Sequence, residues 1–185
     1  MNSMYEPCKR NEESLNTSHT HYLTKIYITM RNEEIRNALQ DLIIRLQDAE
    51  KGYNEIKKAT SNPILKNWMQ KYADERHSFH KDLELESAKL GGDPEVKTSF
   101  LGDLHRMFID IKINNTEDSI VAIVDEIERG SDTLIEDYEK VIKDVEMTQD
   151  LRKLLEAQKW KINAEKETLL ELRAHFEKPH ETQPV

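Results

Sequence analysis

Cys8 is the only cysteine in 185 residues, and there are only five glycines and five prolines. One cysteine excludes an intrachain disulfide and a thiolate metal site. So little Gly and Pro excludes a collagen-like or low-complexity chain. No apolar run approaches the roughly 20 residues of a transmembrane helix. The N-terminus lacks the basic-then-apolar layout of a secretory signal, so the expected compartment is the cytoplasm. Basic clusters are missing too. With 27 Lys and Arg against 36 Asp and Glu, the formal net charge is -9. Nucleic acids and anionic membranes bind clustered cations that displace counterions, so neither is an expected partner.

What is present is charge, in a periodic arrangement. Charged residues make up 34% of the chain, the profile of long solvated helices. The length suits one domain with a sizeable core. Residues 1–30 are polar and aperiodic, with His19 and His21 among Asn, Ser and Thr, and are expected to form a disordered tail. Met30 stands directly before the first periodic segment and is a candidate start of translation, an idea that detection of residues 1–29 in the native protein would refute.

From Asn32, an expected N-cap, the apolar positions are Ile35, Leu39, Leu42, Leu46, Ala49, Tyr53 and Ile56. Gaps alternating four and three predict a helix packed in a bundle. Asn62-Pro63 ends one helix and opens the next. The second stripe reads Leu65, Trp68, Tyr72, Glu75, Phe79, Leu83, Glu86 and Leu90, closed by Gly91-Gly92 and Asp93-Pro94. Ser99 caps a shorter amphipathic segment with Leu101, Leu104, Phe108 and Ile111, long enough to carry the chain back along the bundle. Thr116 caps the third long helix, with Ile120, Val124, Ile127, Ser131, Leu134, Tyr138, Val141 and Val145 on its seam; Gly130 is expected to admit a close neighbour. After Thr148 the fourth stripe is Leu151, Leu155, Gln158, Ile162, Glu165, Leu169, Leu172 and Phe176, ended by Lys178-Pro179. The expected fold is all-α: a four-helix bundle over 31–177 with a long helical crossover between its second and third long helices, the ferritin-like arrangement, and a polar tail at 178–185.

Each long helix offers one glutamate on or beside its seam: Glu50, Glu75, Glu128 and Glu165. Counted from the helix centres with directions up, down, down, up, they stand about 6, 1.5, 4.5 and 4.5 Å to the same side of the midplane. Four carboxylates at one level are the candidate ligands of a di-iron or di-manganese centre handling iron, oxygen or peroxide. The imidazoles such sites add three residues after a glutamate are missing, since those positions hold Ser78 and Thr168. His80, five residues beyond Glu75, falls roughly 140° round the helix, and His77 points further away. The alternative is that the glutamates are hydrogen-bonded to Gln158, Tyr53, Tyr72 or Tyr138 and fix helix register.

Residues from about 33 to 176 resemble a bacterial ferritin-like four-helix-bundle family of unknown function, of the type named domain of unknown function 2383. The resemblance lies in Asp48-Ala49-Glu50-Lys51-Gly52-Tyr53, Glu75-Arg76 with Phe79, and Leu90-Gly91-Gly92-Asp93-Pro94. It continues in Leu104-His105-Arg106, Glu128-Arg129-Gly130 and Leu172-Arg173. It implies the bundle and its crossover and supplies no reaction. By fold-level analogy the expected role is stress-associated binding or structure, as a homodimer and without catalysis.

Overall fold

Alternating gaps of four and three leave a chain no regular way to bury its apolar residues except as helices. The computed structural model describes residues 10–92 and 117–176. In it α1 spans Arg10–Ala59, α2 Pro63–Lys89, α3 Glu117–Asp144 and α4 Gln149–Phe176. Local chemistry sets the turns. The Asn62 side chain accepts from the amides of Ile64 and Leu65 at 2.9 and 3.1 Å, with Pro63 beside it at the first helical position. At the other end of α2, Gly92 N–H donates to Ser87 C=O and Gly91 N–H to Ala88 C=O, a Schellman closure. Gly91 has φ 82°, and a Cβ on Gly92 would lie 2.9 Å from the Ser87 carbonyl oxygen. Neither position tolerates a side chain without strain. The Leu151 amide donates to Thr148 Oγ1 at 3.3 Å, as the cap of α4 requires.

Side-chain contacts fix the directions. Lys57 meets Gln70, Gln47 meets Glu84 and Arg36 meets the Leu90 carbonyl, so α1 and α2 are antiparallel. Tyr138 meets Gln158 and Asp125 meets Arg173, so α3 and α4 are antiparallel as well. Arg76 pairs with Glu165 and Asp82 with Gln158, placing α4 antiparallel to α2. Arg45 with Asp137 and Arg31 with Glu146 set α3 antiparallel to α1. Hence α2 and α3 run parallel, which no short turn can achieve, and the order is up, down, down, up. The joining residues 93–116, with His105 and the expected crossover stripe, lie outside the described residues, as do Thr116 and Lys178-Pro179.

The core is apolar at both ends and polar across the middle. One cluster holds Ile35, Leu39, Leu42, Leu46, Leu83, Leu134, Leu151 and Leu155. The other holds Tyr53, Ile56, Leu65, Met69, Tyr72, Val124, Leu169 and Leu172. Buried Arg76, Ser131 and Glu165 stand at the boundary, on three different helices. At about 25 cal/mol per Å² of apolar surface, the two clusters supply the driving force, and the layer between them requires partners. No helix among the described residues is long and apolar enough to cross a membrane.

Several expectations change. Helix α1 is continuous from Arg10, so Asn32 is not its cap and residues 10–30 are helical. Thr20 to Met30 are nonetheless all exposed, Tyr22, Leu23, Ile26, Tyr27 and Met30 included: α2 ends at Lys89, with the Leu90 carbonyl meeting Arg36, so this part of α1 runs past it. On α2 the buried face holds Met69, Arg76 and Ser87 in place of Trp68, Glu75 and Glu86. The two readings share Leu65, Tyr72, Phe79 and Leu83 and differ by one residue between them. Gly130 is exposed and has nothing within 4 Å of an added Cβ, so it serves no close approach. The stripes of α1, α3 and α4 are otherwise as expected, Ala49, Val141 and Val145 being half-buried.

Candidate functional site

The polar layer is organised by Arg76. Its side chain is fully buried (0% exposed), and it donates from both terminal nitrogens to Glu165, at 3.1 Å to Oε1 and 2.6 Å to Oε2. Its guanidinium lies 5.8 Å from the ring centroids of both Tyr53 and Phe79, a cation–π setting. Burial opposes its charge, but Tyr53, Glu165 and Glu75 outweigh burial and hold it protonated. Glu165 is pushed up to about 8: burial raises it most, the Glu75 carboxyl within hydrogen-bonding reach raises it further, and Arg76 pulls only partly back. The shift favours the protonated form of Glu165, in a layer whose buried cation is Arg76. Burial, with Glu165 second, also pushes the Tyr72 phenol up. A turn away, the Tyr138 hydroxyl donates to Gln158 Oε1 at 2.7 Å, and Gln158 Nε2 donates to the Phe79 carbonyl at 3.3 Å.

This arrangement does not fit a two-metal carboxylate centre. Such a centre needs several carboxylates free to neutralise two dications. Here Glu165 is engaged bidentately by a buried guanidinium, whose charge would repel metal from the same carboxylates. Of the four glutamates expected at one level, Glu75 stands within hydrogen-bonding reach of Glu165. Glu128, half-buried on α3, makes no hydrogen bond or ion pair with the other three. Glu50 is turned to a different set of partners.

Those partners are His77 and His80, one turn apart on α2 and facing Glu50 on α1. Glu50 Oε1 lies 3.2 Å from His77 Nδ1, and Oε2 lies 2.9 Å from His80 Nε2. One donor atom from each of the three residues falls within 4.8 Å of the others. The two imidazoles meet edge to face, with centroids 4.8 Å apart. His80 is buried and His77 exposed, so the cluster opens to solvent on one side. The second nitrogen of His80, Nδ1, is 2.9 Å from Glu84 Oε1. Glu84 is itself anchored by Gln47 Nε2 at 3.2 Å and Lys81 Nζ at 2.8 Å. Burial would raise the Glu84 carboxyl, but hydrogen bonds from Lys81 and His80 hold it below the usual carboxylate range.

The chemistry of this cluster calls for a cation. Both ring nitrogens of His80 face carboxylate oxygens, which only accept. A neutral imidazole carries one N–H and turns a lone pair on the other acceptor. A second proton or a metal ion relieves that opposition. First-row metals bind N and O donors at about 2.0–2.2 Å, so tetrahedral neighbours stand roughly 3.4 Å apart. The spacings of 2.9 and 3.2 Å, each to a different oxygen of Glu50, come near this, and one donor atom from each of the three residues lies within 4.8 Å of the others. Sequence reasoning missed His77 and His80 because it measured their angles from Glu75 on their own helix. Their partner is across the hairpin, and a glutamate on α1 level with a His-x-x-His pair on α2 was the available signal.

A model of a family described as a domain of unknown function (DUF2383) matches residues 34–144, which include Glu50, Arg76, His77, His80 and Glu84 and end before α4. No curated protein matches the chain.

Proposed function

Because the chain belongs to that family, whose description names no reaction, the site has to supply the function, and we propose that this protein is a divalent-metal-binding four-helix bundle. The observation that carries the reading is the meeting of Glu50, His77 and His80. Two imidazoles and one carboxylate suit zinc, iron(II), cobalt(II) or nickel(II), whereas magnesium and calcium prefer oxygen-only sets. Three protein donors leave open positions, which on the His77 side face solvent. The role is binding, stress-associated by fold-level analogy, in a homodimer.

Metal analysis of protein purified without chelators, followed by Zn²⁺ and Co²⁺ titration calorimetry, tests it. One equivalent should bind, and His80→Ala and Glu50→Ala should each abolish it. Absence of binding to the wild-type protein refutes the reading. Light scattering checks the dimer, which a monomer at high concentration would rule out.

A further inference from the structure

Behind the three donors stands a second layer of residues that touches no metal position. Glu84 lies one turn beyond His80 on α2, so its carboxylate can reach back along the helix to His80 Nδ1. It is half-buried, with side-chain exposure of 12%. Both of its oxygens are engaged. Oε1 accepts from Gln47 on α1, and Oε2 pairs with Lys81 on α2. A carboxylate held from two helices cannot swing away from the imidazole, and this order is spent on a residue with no apolar packing role. Asp82, the other acid near this turn, is directed instead to Gln158 on α4.

From this arrangement we infer that Glu84 is a positioning residue for a metal site, a reading that rests on the one proposed above. Glu84 and Glu50 face the two nitrogens of His80 at the same 2.9 Å, but Glu84 is held in place by Gln47 and Lys81; as the fixed acceptor it draws the proton to Nδ1 and leaves the Nε2 lone pair free. It also sets the ring plane so that the lone pair points at the space shared with Glu50 and His77. A carboxylate behind a metal-bound imidazole makes it more basic, and loss of such a partner weakens metal binding by about 10- to 100-fold. Gln47 and Lys81 act one step further out, by holding Glu84. The ligand class that follows is a borderline dication such as Co²⁺ or Zn²⁺, which gains most from a more basic imidazole.

The test separates tautomer from affinity. Long-range ¹H–¹⁵N spectra of the metal-free protein at pH 8 report which His80 nitrogen carries the proton. Co²⁺ titration followed by visible absorption reports affinity. In the wild type, Nδ1 should be protonated. Glu84→Met, which removes the acceptor but keeps a good helix former, should give a mixed tautomer and weaken Co²⁺ binding 10- to 100-fold, with helical content unchanged. Glu84→Gln, which keeps an acceptor oxygen, should retain the tautomer and lose less affinity. A wild-type His80 protonated at Nε2, or a Glu84→Met protein with unchanged tautomer or with Co²⁺ affinity within twofold of wild type, overturns the assignment. Should wild-type protein bind no Co²⁺, the metal reading fails, and so does the metal role given to Glu84. Its effect on the tautomer would still be read from the metal-free spectra.

Discussion

Replacing Arg76 by methionine tests whether the polar layer is held together as described. Methionine fills most of the arginine volume without charge, so the change removes two hydrogen bonds, at 3.1 and 2.6 Å, and the guanidinium that faces Glu165 and Glu75. What remains is the buried Glu165 carboxyl beside the half-buried Glu75, with no guanidinium opposite. Breaking a buried pair on one side costs about 3–5 kcal/mol, a large part of the 5–15 kcal/mol of a typical domain. Replacing both partners with well-packed apolar residues is often neutral or stabilising. Urea denaturation at pH 8 should therefore show Arg76→Met destabilised by about 3–5 kcal/mol and Arg76→Met with Glu165→Leu recovering most of that loss. At pH 5 Glu165, raised to about 8 in the fold, is protonated, and the single variant should lose only about 1–2 kcal/mol. A single variant within 1 kcal/mol of wild type at pH 8, or a double variant no better than the single, would refute the account.

The pH dependence of the wild type has a definite sign. Glu165 is raised in the fold to about 8, so its contribution is complete below the ordinary carboxylate value of about 4.3, declines as pH rises, and is gone above about 8. Thermal melts of Glu165→Gln against wild type isolate it, and an equal pH response in the two proteins would count against the shift. Saturating Zn²⁺ at 100 times its Kd should add about 2.7 kcal/mol, raising Tm by roughly 5–10 °C; an equal rise in His80→Ala would place the metal elsewhere. Gly130→Ala should stabilise by up to about 1 kcal/mol, since the position is helical, exposed and clear of neighbours. Gly91→Ala, at φ 82°, should cost about 1 kcal/mol in the same denaturation assay. Anaerobic iron addition followed by air should give no oxo-bridged absorption, and its appearance would show that Arg76 does not bar a two-metal centre.

The amino-acid sequence by itself determined the helices and most of their faces. The α4 stripe from Leu151 to Phe176 is buried as read, and Asn62-Pro63 and Gly91-Gly92 act where their chemistry requires. Both follow from local physics: side-chain period for the faces, backbone freedom and side-chain capping for the turns. The one-residue choice on α2, Glu75 or Arg76, was beyond it. The two alternatives bury Trp68 or Met69 equally well, and one helix carries no information about what faces it. Tertiary packing made the choice by presenting Glu165 from α4. The same limit hid His77 and His80, whose meaning comes from Glu50 on the neighbouring helix. Fold is written in periods along one chain segment, whereas a site is written in distances between segments, and those are set only when the helices pack.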